Sequence, residues 1–275
     1  MSGRALRVSA FGVAALALFL IWSTLISAQL VRSETALLTT VTPIYGDEDL
    51  RPLIRLTIFD PWAPVLGADS PQFVVYDTGQ VIYAGGVDDD RRLTYMRVEL
   101  EPAELEALLD SLGVEHFYRM EDYYETVFKT DQRTETITVW TEDAGFHSVT
   151  VYGSLEYDPE ARALAPHGFV SAFDRMMSYS HPDAEPWLPE MFEVLLWPYE
   201  NSSAAGWPEA WPEPGSPVFV PRDQVISVYL DSDQLERYRE LAATARAVRL
   251  DGETYAFSMR WPFPHEVVWP VNAAE

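Results

Sequence analysis

Cysteine is missing from this 275-residue chain altogether. Its absence excludes disulfides, thiolate zinc sites, a cysteine nucleophile and a lipid-bearing cysteine behind an export signal. Lysine is almost missing as well: Lys129 is the only one, and the remaining basic residues are arginines, which reads as coding bias. The familiar catalytic signatures are absent too. There is no G-x-S-x-G, no Walker loop, no H-E-x-x-H and no G-x-G-x-x-G. Five histidines (His116, His147, His167, His181 and His265) stand singly, with no pair at ligand spacing, and read as surface or satisfied core residues. No cofactor is expected, and no named family is recognisable in these residues.

Positive charge is scarce in general. Lys and Arg number 19 against 43 Asp and Glu, for a formal net charge of −24. A field of that sign repels nucleic acid, whose phosphates need clustered Lys and Arg, and it repels anionic membrane surfaces. It favours cationic partners or divalent ions, and it also serves plain solubility.

Against these absences stands one long apolar run. Arg4 and Arg7 precede residues 8–31, which carry no charge until Arg32. A positive start followed by an apolar stretch is an export signal. Two readings of 1–28 remain open. Ile26-Ser27-Ala28 offers a small residue for cleavage, which suits a signal peptide. The run is also long enough, at the ~20 residues a span needs, for a retained N-terminal membrane anchor. Either way the arginines hold the N-terminus inside and the rest is exported. A large exported domain without disulfides fits a bacterial periplasm or cell envelope, with membrane contact only through the N-terminal segment if it is uncleaved.

The periodicities predict an α+β fold: a mostly antiparallel sheet with helices on one face. It is built from two βαββ-like units, 95–152 and 225–261, plus a hairpin at 73–83. At a constant offset Val98 meets Val228, Leu100 meets Leu230, Leu105 meets Leu235 and Glu106 meets Glu236. The chain divides into an N-terminal extension with one strand (29–65), a main unit (66–180), a packed Pro/Trp-rich connection (181–221) and a smaller unit packed on the first (222–275). The hairpin 73–83 turns at Asp77-Thr78-Gly79 and is apolar on both faces, which predicts a mid-sheet position. Leu105, Leu108, Leu109 and Leu112 form one face of a helix opening at Glu101-Pro102 and stopped at Gly113. Residues 116–131 read as irregular, and a helix over 166–177 aligns Phe169, Phe173, Met176 and Met177. Asp231 and Gln234 form a prospective capping pair for a last helix along Leu235, Tyr238, Ala242 and Ala245.

Three groups of residues are candidates for a site. Glu121 and Asp122, with Asp131 nearby in sequence and Tyr123 and Tyr124 between, are raw material for glycan hydrolysis by paired carboxylates, although an ordinary acidic loop has the same composition. Asp88, Asp89 and Asp90 follow Gly85-Gly86 and suggest calcium without the EF-hand spacing. Trp207-Pro208 and Trp211-Pro212 repeat a Trp-Pro step. Their rings either bind a ligand or pin the connection to the body, with burial expected for at least one and Trp211 expected to stay the more exposed. The leading expectation is a non-catalytic binding or interaction module with a protein or glycan partner. The alternatives are a carboxylate-dependent glycan hydrolase and a calcium-stabilised structural module.

Overall fold

The computed structural model describes residues 42–87, 93–199, 203–222 and 224–270. The apolar N-terminal segment and the Asp88, Asp89 and Asp90 triplet lie outside the described residues. Among those described, no helix is long and apolar enough to cross a membrane.

The fold is α+β, and its strands are shared between two sheets. The first contains β1 (Pro52–Phe59), β2 (Phe73–Tyr76), β3 (Gln80–Val87), β4 (Leu93–Glu99), β5 (Tyr123–Glu125), β6 (Thr134–Thr141), β7 (Gly145–Tyr152) and β8 (Glu185–Trp187). Their order is β5-β7-β6-β1-β2-β3-β4-β8. The second contains β9 (Met191–Pro198), β10 (Ala204–Gly206), β11 (Phe219–Pro221), β12 (Ile226–Asp231), β13 (Ala247–Leu250) and β14 (Glu253–Arg260), in the order β10-β13-β14-β9-β12-β11. Both sheets are antiparallel except at the short β5–β7 and β10–β13 pairs. The helices are α1 (Pro102–Leu112), α2 (Val114–Phe117), α3 (Pro159–Leu164), α4 (His167–Met177) and α5 (Leu235–Thr244).

The 73–83 hairpin takes the mid-sheet place its two apolar faces predict: every residue of β2 is buried. Gly79 closes its turn at φ 94°, and a Cβ there would meet the Leu100 carbonyl oxygen at 2.6 Å, so glycine alone fits. Helix α1 opens as predicted, with Pro102 in its first turn and the Glu101 N–H donating to the Glu104 carboxylate (3.1 Å). It ends at Gly113 in the left-handed region (φ 66°). Along α4, Phe169, Phe173 and Met176 are buried, while Met177 lies at the edge of the stripe and is exposed.

Several elements depart from expectation. Residues 116–131 contain the end of α2 and the short strand β5. The Pro/Trp-rich segment is no mere connection, because its apolar run forms β9, which stands between β12 and β14 in the second sheet. Asp231 does not cap α5 with its side chain. A 3₁₀ turn, Ser232–Gln234, intervenes, and the Ser232 N–H and hydroxyl donate instead to the carbonyls of Glu190 (2.8 Å) and Pro189 (2.5 Å). The two βαββ-like units are also connected differently. In the first, the leading hairpin strand, β6, faces the sheet interior; in the second it is the trailing one, β14. The four identities therefore describe a strand–helix step common to both units, without a shared topology.

Each sheet buries one face under helices. Against the first, Ile54, Leu56, Phe73, Val75, Ile137, Val139, Val149 and Val151 meet Phe169, Phe173 and Met176 of α4. Against the second, Phe192, Val194, Val228 and Phe257 meet Leu235 and Tyr238 of α5. The opposite faces are covered by exchange. The β1–β2 loop sends Val65 onto Leu195 and Ala256 of the second sheet, and the Val65 N–H donates to the Ser258 hydroxyl (3.2 Å). The tail beyond β14 sends Phe263 onto Val74, Tyr76, Ile82 and Tyr95 of the first, edge-on to Tyr95 at 5.5 Å.

Phe263 is completely buried at this crossing. Phe263→Ala is expected to cost about 3–5 kcal/mol in urea denaturation, the usual loss for an aromatic core truncation. A loss below about 1 kcal/mol would contradict the exchange as a source of stability.

Candidate functional site

The carboxylates nominated by sequence do not converge. Glu121 and Asp122 immediately precede the edge strand β5 and are exposed. The Glu121 N–H donates to the Tyr124 hydroxyl (2.9 Å), and the Asp122 carbonyl accepts from the Thr150 N–H (2.9 Å). The Asp122 carboxylate is 88% exposed and lies 3.9 Å from His147 Nδ1. Asp131 occupies a left-handed turn (φ 56°) ahead of β6, and its carbonyl accepts from the Trp62 indole N–H (3.2 Å). A glycosidase holds two carboxyls across a cleft at about 5–10 Å. Asp122 is anchored beside Thr150 in β7, whereas Asp131 belongs to the approach to Thr134, past the open end of the β6–β7 hairpin. None of the three lines the cavities described below. Among the described residues no group of three or more acids or histidines is arranged to hold a metal ion.

The tryptophans are brought together. The Trp207 and Trp211 rings meet edge to face at 4.9 Å, with Trp207 also against Phe219. Trp211 is only 3% exposed and belongs to the core of the second sheet; Trp207 is half-buried, its indole N–H donating to the Pro212 carbonyl (3.0 Å). The expected order of exposure is thus reversed. The Trp211 N–H bonds the Pro208 carbonyl (2.9 Å), which folds the Trp-Pro repeat into a turn and aims the second ring inward.

Two sites emerge from the geometry. The first is a groove of about 510 Å³ along α1. Of the four leucines on that helix face only Leu112 is fully buried, while Leu105, Leu108 and Leu109 pack against the core but keep part of their surface exposed. Leu105 and Leu109 form the apolar floor with Leu53, Val114 and Trp140, and Glu106, Asp110 and Glu115 form an acidic rim.

The second is a polar seam behind β9. Glu193 is wholly buried. One of its oxygens accepts from Arg222 (3.1 Å) and the Ser227 hydroxyl (2.5 Å), the other from Arg260 (3.0 Å). Arg260 also bonds Glu266 of the tail, and Arg222 donates to the Tyr229 hydroxyl (2.8 Å). Burial works against the Arg260 charge, but Glu266 and Glu193 more than restore it, leaving its pKa above the ordinary value. His265 bonds Tyr76 through Nδ1 (2.8 Å), and burial, helped by Arg55 and Arg260, pushes its pKa down to about 3. The ring is neutral at physiological pH.

No family model matches this chain, and neither a curated protein nor a solved structure is similar to it. The residues that sequence reasoning missed, Glu193, Arg55, Arg222 and Arg260, carried one signal: each is a charge on or beside a strand that otherwise reads as apolar.

A buried acid outside both sites has its own consequence. Glu135 of β6 is 1% exposed; one carboxyl oxygen accepts from the Leu155 N–H (3.1 Å) and the other has no partner among the described residues. Burial raises its pKa to about 7 from 4.5. As pH rises between those values the unfolded chain loses the proton and the native chain keeps it. Stability therefore falls, by about 3 kcal/mol in all. Glu135→Gln is expected to remove that component from the pH dependence of the urea midpoint and to stabilise the protein at pH 8. An unchanged profile would refute the assignment. For the tryptophans, Trp211→Ala is expected to cost about 3–5 kcal/mol in the same assay; a cost under 1 kcal/mol would return Trp211 to the list of binding residues.

Proposed function

We propose that this chain is a non-catalytic binding module of the bacterial cell envelope, exported through its N-terminal apolar segment. Its groove along α1 receives a protein segment with an apolar anchor between basic residues. The observation that carries this reading is the incompletely covered leucine face of α1. A helix face of four leucines ordinarily seeks burial, and burying a single leucine contributes about 1.5–3 kcal/mol. Here Leu105 and Leu109 stay only partly buried beside Trp140. Partly buried leucines next to an aromatic ring are the composition of an anchor pocket.

Charge selects the partner. Glu106, Asp110 and Glu115 edge the groove, and the chain as a whole carries −24. Basic residues flanking the anchor would meet these acids, adding a few tenths to 1 kcal/mol apiece together with faster, salt-sensitive association. The same field disfavours nucleic acid and anionic lipid.

A displayed random-peptide library selected on the full chain tests this. Enriched peptides are expected to share an apolar residue flanked by Arg or Lys. Leu109→Asp should weaken them at least tenfold. The exposed pair Glu106→Lys with Asp110→Lys should weaken them and reverse their salt dependence without disturbing the core. Peptides lacking that pattern, or binding equally to both variants, would sink the proposal.

A further inference from the structure

Across the first sheet from the helices, where the exchanged tail stops covering the strands, lies a second cavity of about 480 Å³. Arg55 projects there from β1, with Val74 of β2 and Thr138 of β6 as its cross-strand neighbours. It is half-buried near the middle of an eight-stranded sheet, and no carboxylate of the described residues lies within 4 Å of it. The seam beside it makes this conspicuous. Glu193 is engaged by Arg222 and Arg260 and Glu266 by Arg260, so two acids stand against three arginines and Arg55 is left without a salt bridge. A partly desolvated cation without a partner is costly, and in a chain with such an excess of acids a partner would be easy to provide. Burial pulls the Arg55 pKa down and Glu266, acting without a salt bridge, offsets this only in part, whereas at Arg260 two paired carboxylates overcome the same effect.

The rest of the cavity suits an incoming anion. His265 lines it, and its Nε2 is buried without a partner among the described residues. In the tautomer in which Tyr76 donates to Nδ1, that nitrogen carries the ring proton and is a donor in want of an acceptor. Arg51 stands at the mouth with its guanidinium 4.2 Å above the Trp140 ring. Glu48, also at the mouth, is exposed and within salt-bridge reach of neither arginine. Leu50, Pro52 and Phe146, the last 60% exposed, give the walls an apolar character that a bare inorganic ion would not use.

We infer that this cavity is a binding site for a small monoanionic carboxylate with an apolar or aromatic body. Its carboxylate lies on Arg55 and its body lies against Phe146. One half-buried guanidinium without a salt bridge matches one negative charge. A phosphate monoester, with its second charge, would depend on the exposed Arg51 for balance. The volume lies in the range of small-ligand pockets, about 300–1,000 Å³.

Thermal-shift and calorimetric titrations of the full chain with phenylacetate, phenylacetamide, phenyl phosphate and inorganic phosphate decide the matter. Phenylacetate is expected to bind saturably and raise the melting temperature, and its neutral amide to do neither. Arg55→Met should abolish the response while holding or raising the melting temperature of the ligand-free protein, because it removes a half-buried charge without a salt bridge and keeps the side-chain bulk. Phe146→Ser, an exposed change that leaves the fold intact, should weaken phenylacetate at least fivefold. Equal binding of acid and amide, or undiminished binding by both variants, would overturn the site. So would a lower melting temperature for ligand-free Arg55→Met, because it would mean that Arg55 is already paired. Tighter binding of phenyl phosphate than of phenylacetate would overturn the monoanion assignment.

Discussion

A carboxylate with no water around it forces its neighbours into place, and Glu193 does this for the second sheet. Left alone, a buried carboxylate costs several kcal/mol. Here Ser227 of β12, Arg222 from the loop leading into it, and Arg260 at the end of β14 all bond the same group. Ser227 and Arg260 come from the strands on either side of β9, so the polar contact and the backbone ladder specify the same neighbours and the same register. Arg260 then reaches onward to Glu266, which holds the tail where Phe263 can cover the first sheet. A single buried charge thereby links strand order in one sheet to the closure of the other.

What could be read in advance was whatever depends on spacing along the chain. Alternation placed Ile137, Val139, Val149 and Val151 inward, and Pro102 and Gly113 bounded α1, because short-range periodicity and backbone conformation are properties of the sequence itself. The division into two sheets was not legible. The Met191–Trp197 run lies in a segment whose prolines mark it as a connection, and only its apolar stretch without alternation hints at the central strand it forms. The exchange of loop and tail was equally hidden, since it joins residues nearly two hundred positions apart, such as Val65 and Ser258. The candidate sites fared similarly. Glu121 and Asp122 are adjacent in sequence, but proximity in sequence is no guide to convergence in space. Arg55, alone in an apolar strand, acquires meaning only from the company the tail gives it.

The molecule presents two electrostatic characters. Along α1 an apolar floor is edged by acids, in keeping with the overall excess of negative charge. Behind the sheets a small set of arginines exceeds the acids that face them. The strongly negative exterior raises the electrostatic barrier an anion crosses to reach the half-buried Arg55. Any anion that arrives is therefore selected for shape and apolar fit as well as for charge, which is why the walls around Arg55 matter as much as the guanidinium.

The exchange of covering segments also sets an order in time. A ribosome delivers β2 and β3 some 180 residues before Phe263. Throughout that interval Val74, Tyr76 and Ile82 have one side of their sheet bare, and the first sheet cannot be finished as an isolated N-terminal half. Folding instead waits for the far end of the chain, since contacts of such long sequence separation form slowly and reward the chain only once closed. A nascent chain of this design spends its youth with an apolar face showing, and a ribosome-bound or unfolded-state escort that shields it would act on that face before any native ligand could.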